Sequence, residues 1–189
     1  ATTEIYTLSL HDALPISMLV QAVSIAFVMC VCELVSAPVM VSAAGGAFAL
    51  MPWFLVACLF AVAFVYTVGF VLLWAADSFA ARLKRRDALM PLIYAVIGCV
   101  GFGIWGYCVY PATMNSIITR AGLATLSQGD SLMIGINCAV VGLAAFFLGT
   151  AAMPRVMKSK GRIAVTAAAV IALAVFGGVV LAMTWSHLA

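Results

Sequence analysis

Long apolar blocks alternate with short polar breaks along this chain, and five of the blocks are long enough to be membrane helices. The first runs from about Met18 to Val35 and is closed by Ser36, Ala37 and Pro38. The second opens at Pro52, a residue well suited to a first helical position, and runs to about Ala76. The third opens at Pro91 and ends near Tyr110, with Pro111 just beyond. The fourth spans about Leu132 to Met153 and stops at Pro154, and the fifth spans about Ile163 to Trp185. Each offers the roughly 20 residues a helix needs to cross a hydrocarbon core of about 30 Å. A bare backbone finds no water there, so a spanning segment is either a helix or a strand of a closed barrel, and the alternation of a barrel strand is missing from these blocks. The pattern predicts an all-α fold: a polytopic integral membrane helix bundle of about five transmembrane helices, with residues 18–189 as one transmembrane domain.

Composition removes the alternative of a soluble core. The chain is 67% hydrophobic and 8% charged, with a mean hydropathy of +1.24; a soluble domain carries about 25% charged residues. Nine Lys and Arg and six Asp and Glu cannot clothe a 189-residue globule, so lipid is the expected solvent. The net charge of +3 forms no basic face of the kind that nucleic acid requires.

The positions of the cations set an expected orientation. Arg82, Lys84, Arg85 and Arg86 lie between the second and third blocks, and Arg155, Lys158, Lys160 and Arg162 lie between the fourth and fifth. Five crossings bring both loops to one side, which the positive-inside rule makes cytoplasmic. The expected location is a bacterial-type cytoplasmic (inner) membrane, with the start of the first span inside and the C-terminus outside. Trp53, Trp105, Tyr107, Tyr110 and Trp185 then fall at outer ends and Trp74 at an inner one, as an aromatic belt would have them. In the long outer loop, Met114, Ile117, Ile118 and Ala121 recur at helical spacing and predict a short interfacial helix, while Arg120 and Asp130 are candidates for a surface pair.

The opening residues, ATTEIYTLSLHDALPIS, have a different character, holding Glu4, His11 and Asp12 and no apolar run. Residues 1–17 resemble the in-frame translation of a common short-read sequencing adapter. That resemblance implies a non-native tail and a natural chain that continues upstream of Met18.

Two kinds of feature could carry function. The first is a seam of small residues in the fourth block, Gly135, Cys138, Gly142, Ala145, Gly149 and Ala152, at steps alternating three and four. With Ala95, Cys99, Gly103 and Gly106 in the third block, it predicts close helix packing, between these two spans or against a partner subunit. The second is polarity at depth. Glu33 lies inside an apolar run, where a charge costs at least a few kcal/mol at the bilayer centre. One reading ends the span near Val35 because of Pro38 and leaves Glu33 wetted at the outer interface. The other buries Glu33 in the bundle, where it handles protons beside a substrate. Asn137, in the outer half of the fourth block, is a candidate for a hydrogen bond between helices.

No other cofactor chemistry is indicated. His11 and His187 both lie outside the blocks, which argues against a transmembrane haem with imidazole ligands. No Cys-x-x-Cys occurs, and the six cysteines, all in apolar stretches, read as packing residues with neither a thiol-oxidase motif nor a metal site. No Walker loop, His-Glu-x-x-His or Gly-x-Ser-x-Gly is present, so a self-contained active site is not expected.

From the second block onward the outline is a helix pair, the loop ATMNSIITRAGLATLSQGDSLM, a helix, the short basic turn RVMKSKGR and a last helix. In that order of parts, residues 50–189 resemble the C-terminal half of dimethyl sulfoxide reductase-type membrane anchor subunits. The resemblance implies a non-catalytic subunit of a respiratory oxidoreductase that binds quinol and holds iron–sulfur and molybdopterin subunits at the membrane. Two other classes fit the residues: a fragment of a multi-span transporter, for which Glu33 would be the coupling group, and a small structural membrane protein.

Overall fold

The computed structural model describes residues 2–80, 86–156 and 158–188, with side chains over 17–78, 90–156 and 158–188. The helices are α1 (Thr2–Ala43), α2 (Leu50–Phe64), a π-helical turn at Val65–Gly69, α3 (Phe70–Ala80), α4 (Arg86–Arg120), α5 (Gln128–Val156) and α6 (Lys160–His187). Among the described residues there is no strand, and five helices are long and apolar enough to cross a membrane: Ser17–Ala43, Leu50–Ser78, Met90–Arg120, Gln128–Val156 and Lys160–His187. The chain is a multi-pass helical membrane protein.

Side-chain bonds give the helix directions. Gln21, early in α1, donates from Nε2 to Thr150 Oγ1, late in α5, at 3.3 Å. Tyr110, late in α4, bonds to Glu33, late in α1. So α1 and α4 run together and α5 runs against them. Tyr94 donates to the Asp77 carboxylate, tying the end of α3 to the beginning of α4.

The most extensive contact is between α4 and α5, followed by α1 with α5. Small residues make it possible. A Cβ on Gly142 would stand 2.2 Å from the Gly98 carbonyl oxygen, and one on Gly106 would stand 2.3 Å from Cys138 Cβ. At its other end α5 turns the same seam to α1, where a Cβ on Gly149 would lie 2.7 Å from Ile25 Cα. Phe64, beside the π-turn, stacks on Phe102 and Phe146 with ring centroids 5.0 and 6.2 Å away, filling the centre where α2, α4 and α5 meet. Within the π-turn, Thr67 Oγ1 donates to the Ala63 carbonyl at 2.6 Å. By contrast α6 buries only Val170 and Gly177, the latter seated against the Leu55 carbonyl of α2.

Several ends differ from the sequence expectation, for one physical reason. Pro38, Pro111 and Pro154 were expected to end helices, yet α1 continues to Ala43, α4 to Arg120 and α5 to Val156. In lipid, breaking a helix exposes several unpaired backbone groups, so a proline that forfeits one bond is the smaller cost. The actual stop of α1 is Gly45 and Gly46, at φ of 61° and 74°, with Gly45 N–H bonded to Ser42 O and Gly46 N–H to Val41 O. The stop of α4 is Gly122, at φ 71°.

Other expectations change accordingly. Met114, Ile117 and Ile118 are not part of a separate interfacial helix; they are buried on the extension of α4. Trp53 and Tyr110 are core residues, 2% and 0% exposed, with their rings in edge contact at 6.1 Å, while Tyr107, Trp185 and Trp74 do face outward. Asp130 is engaged in capping α5 instead of pairing with Arg120. It accepts from Ser127 N–H at 3.2 Å and Ser127 Oγ at 2.6 Å, and its own N–H returns to Ser127 Oγ at 3.1 Å, a capping box. The backbone is already helical at Thr2, ahead of Met18.

Candidate functional site

Among the described residues the buried non-aromatic polar side chains are Gln21, Ser24, Glu33 and Ser36, all on α1, the helix that lies among α2, α5 and α6. Glu33 is 0% exposed. The interfacial position that Pro38 suggested for it is therefore replaced by a buried one, because α1 runs ten residues beyond it to Ala43. Tyr110 sits ten residues before the end of α4 and Asn137 nine residues after the start of α5. At 1.5 Å per residue, all three lie about 14 Å from the end of the bundle opposite the basic turn.

The Glu33 carboxyl is held from two sides. Tyr110 Oη is 2.8 Å from Oε1, and Ser36 Oγ is 3.0 Å from Oε2. Tyr110 Oη also lies 3.2 Å from the Ala57 carbonyl of α2. A phenol has one proton and a choice of two acceptors here. With Glu33 ionised, Tyr110 donates to the carboxylate; with Glu33 protonated, the carboxyl donates to Tyr110 Oη and Tyr110 donates to Ala57. Both protonation states are satisfied without moving a heavy atom. Phe60, Trp53 and Phe102 ring Tyr110 at centroid distances of 5.2, 6.1 and 6.2 Å, which keeps the pair dry.

The second half of the site is a groove of about 380 Å³ between α1 and α5, lined by Val31, Cys32, Val35, Ser36, Asn137 and Val140 among others. Val35 and Val140, 77% and 61% exposed, place its mouth on the lipid-facing surface. Asn137 Nδ2 is buried and has no hydrogen-bond partner among the described residues, so the helix-to-helix bond expected of it is not made. Ser36 lines this groove and also bonds Glu33, so its hydroxyl joins the groove to the buried carboxyl. Ser36 thus bonds Glu33 on one side and shares the groove lining with Asn137. Because the Asn137 amide satisfies nothing in the protein, Asn137→Leu is expected to leave stability unchanged or raise it by up to about 1 kcal/mol, read by denaturant titration in detergent.

The remaining sequence candidates lie elsewhere. Gly135, Cys138, Gly142, Ala145 and Gly149 are buried and Ala152 is half-buried; Gly135 meets Tyr107, and none of the six lines the groove. Arg155, Lys158, Lys160 and Arg162 are exposed at the α5–α6 turn. Arg82, Lys84 and Arg85 lie outside the described residues, as does the side chain of Arg86. Among the described residues no three His, Cys, Asp or Glu are grouped to hold a metal. Sequence reasoning missed Tyr110 and Ser36 as partners of Glu33. Ser36 stands three residues after Glu33, a spacing that puts both on one side of a helix and could have signalled the pairing had Pro38 not been taken as a stop.

No family model, curated protein or solved structure matches this chain.

Proposed function

We propose that the chain is a membrane-anchor subunit of a respiratory oxidoreductase that takes up quinol from the bilayer in the α1–α5 groove. The observation that carries this reading is the continuity of the groove, Ser36 and Glu33, with the unpartnered Asn137 amide on the groove wall. A lipid-soluble ring with oxygen atoms matches that arrangement: apolar valines suit the ring, and the Asn137 N–H suits an oxygen. When bound, quinol supplies two electrons and two protons. Asn137 holds one ring oxygen, Ser36 passes a proton inward, and Glu33 stores it with Tyr110 turned to Ala57. Glu33 keeps one of the two protons, and the other is released to water at the near end of the bundle, about 14 Å away. The electrons are taken by iron–sulfur and molybdopterin partner subunits seated at the end of the bundle opposite the basic turn, about 14 Å from the groove, in a bacterial inner membrane.

The test uses the full chain in neutral detergent and a fluorescent quinone analogue, a hydroxyquinoline N-oxide. Saturable quenching is expected for the natural sequence. A loss of tenfold or more in affinity is expected for Asn137→Leu, since a site built around a hydrogen bond discriminates strongly when it is removed. Glu33→Gln keeps one oxygen to accept from Tyr110 and offers its amide N–H to Ser36 Oγ, so it is expected to bind the analogue while abolishing quinol oxidation by the assembled complex. Absence of saturable quenching in the natural sequence, with no iron–sulfur protein recovered alongside it, would sink the reading. The dry, two-state Glu33–Tyr110 pair also suits a proton-coupled transporter. Solute uptake into vesicles that is lost with Glu33→Gln would select that function instead.

A further inference from the structure

We infer that the cleft between the end of α5 and the start of α6 binds the phosphate of an anionic phospholipid. This cleft, about 490 Å³, is lined by Arg155, Val156, Ser159, Arg162, Val165 and Thr166. Arg162 Nη1 donates to the Arg155 carbonyl at 3.3 Å, which draws its guanidinium back over the turn and leaves its remaining N–H donors free. Two guanidiniums therefore border one hollow.

The surrounding charge is unbalanced. From Ser131 to Ala189 the sequence has four cations, Arg155, Lys158, Lys160 and Arg162, and no Asp or Glu. Asp130, the nearest acid in the same pair of helices, is 25 residues before Arg155, about 37 Å along α5, and is occupied in its capping box. No ion pair engages any of the four among the described residues. Among the described residues their charge is thus left open to an anion from outside the chain.

The cleft's walls distinguish among anions. Val156 and Val165, the latter 71% exposed, continue from the arginines along the apolar surface of the two helices. A ligand with a phosphate at one end and hydrocarbon at the other matches both parts, whereas free phosphate would leave the apolar wall unused. The turn joins two spanning helices, so it stands at headgroup depth, where basic pockets on one leaflet recognise anionic lipid. Arginine suits the task because its fork meets phosphate oxygens in pairs.

Native mass spectrometry of the full chain, from detergent micelles doped equally with phosphatidylglycerol and phosphatidylcholine, tests this. Retention of phosphatidylglycerol is expected to exceed that of phosphatidylcholine roughly tenfold. In R155Q/R162Q the ratio is expected to fall to within about twofold, while K158Q/K160Q, which removes equal charge outside the cleft, keeps the preference. A natural chain with no preference would overturn the inference, and so would an equal loss in K158Q/K160Q. Inorganic phosphate at millimolar concentration is expected not to displace the lipid. Displacement would identify a soluble anion as the ligand and overturn the assignment to lipid.

Discussion

Gly142→Val is expected to push α5 off α4 and to lower stability by about 3 kcal/mol or more. The Cβ of any residue at this position would come within 2.2 Å of the Gly98 carbonyl oxygen and 2.7 Å of Phe102 Cβ. Neither obstacle can swing aside: one is backbone and the other is the root of a buried ring. The helices must separate along the longest contact in the bundle, and Phe146, stacked with Phe64, loses its place with them. In lipid there is no hydrophobic force to hold a loosened pair together, since association rests on close packing. Unfolding in a denaturing detergent titration measures the effect. Gly178→Ala is the control, because nothing lies within 4 Å of the added methyl; it is expected to be neutral or to stabilise by up to about 1 kcal/mol. Equal stability of Gly142→Val and the natural chain would refute the seam.

The second large effect concerns the buried carboxyl. Tyr110→Phe removes the 2.8 Å donor to Glu33 and is expected to cost about 1–2 kcal/mol, because a buried acid is left with Ser36 alone. Adding Glu33→Leu is expected to restore about 1 kcal/mol or more, since replacing both polar partners by apolar groups removes the stranded group. The double variant should fold well and take up no proton. This sign pattern separates a functional pair from a structural one: if the two substitutions simply add in a double-mutant cycle, Glu33 and Tyr110 are not coupled. If the double variant is the least stable of all, the pair exists to hold the bundle.

The five crossings were legible because each apolar block is long enough by itself to demand helix, and no tertiary information is needed for that step. The ends were less legible. Rules drawn from water make Pro38 a terminator, whereas the lipid phase makes a continuous helix the cheaper choice, and that one difference decides between the two readings of Glu33 in favour of the buried one. Trp53 and Tyr110 were misassigned for a related reason. Position along a helix suggests depth, but the direction an aromatic ring faces depends on neighbours that only packing reveals. The Gln21–Thr150 bond joins residues 129 apart, and no local pattern announces it. The π-turn at Val65–Gly69 is equally silent, since its residues are as apolar as those of the helix on either side.

The sparse seating of α6 bears on biogenesis. Every group that holds Glu33 comes from α1, α2 or α4, and the groove beside it needs only α1 and α5. The groups that hold the carboxyl are therefore all synthesised before Val170 and Gly177 of α6. α6 then packs along α2 and α1, with Gly177 fitted against the Leu55 carbonyl.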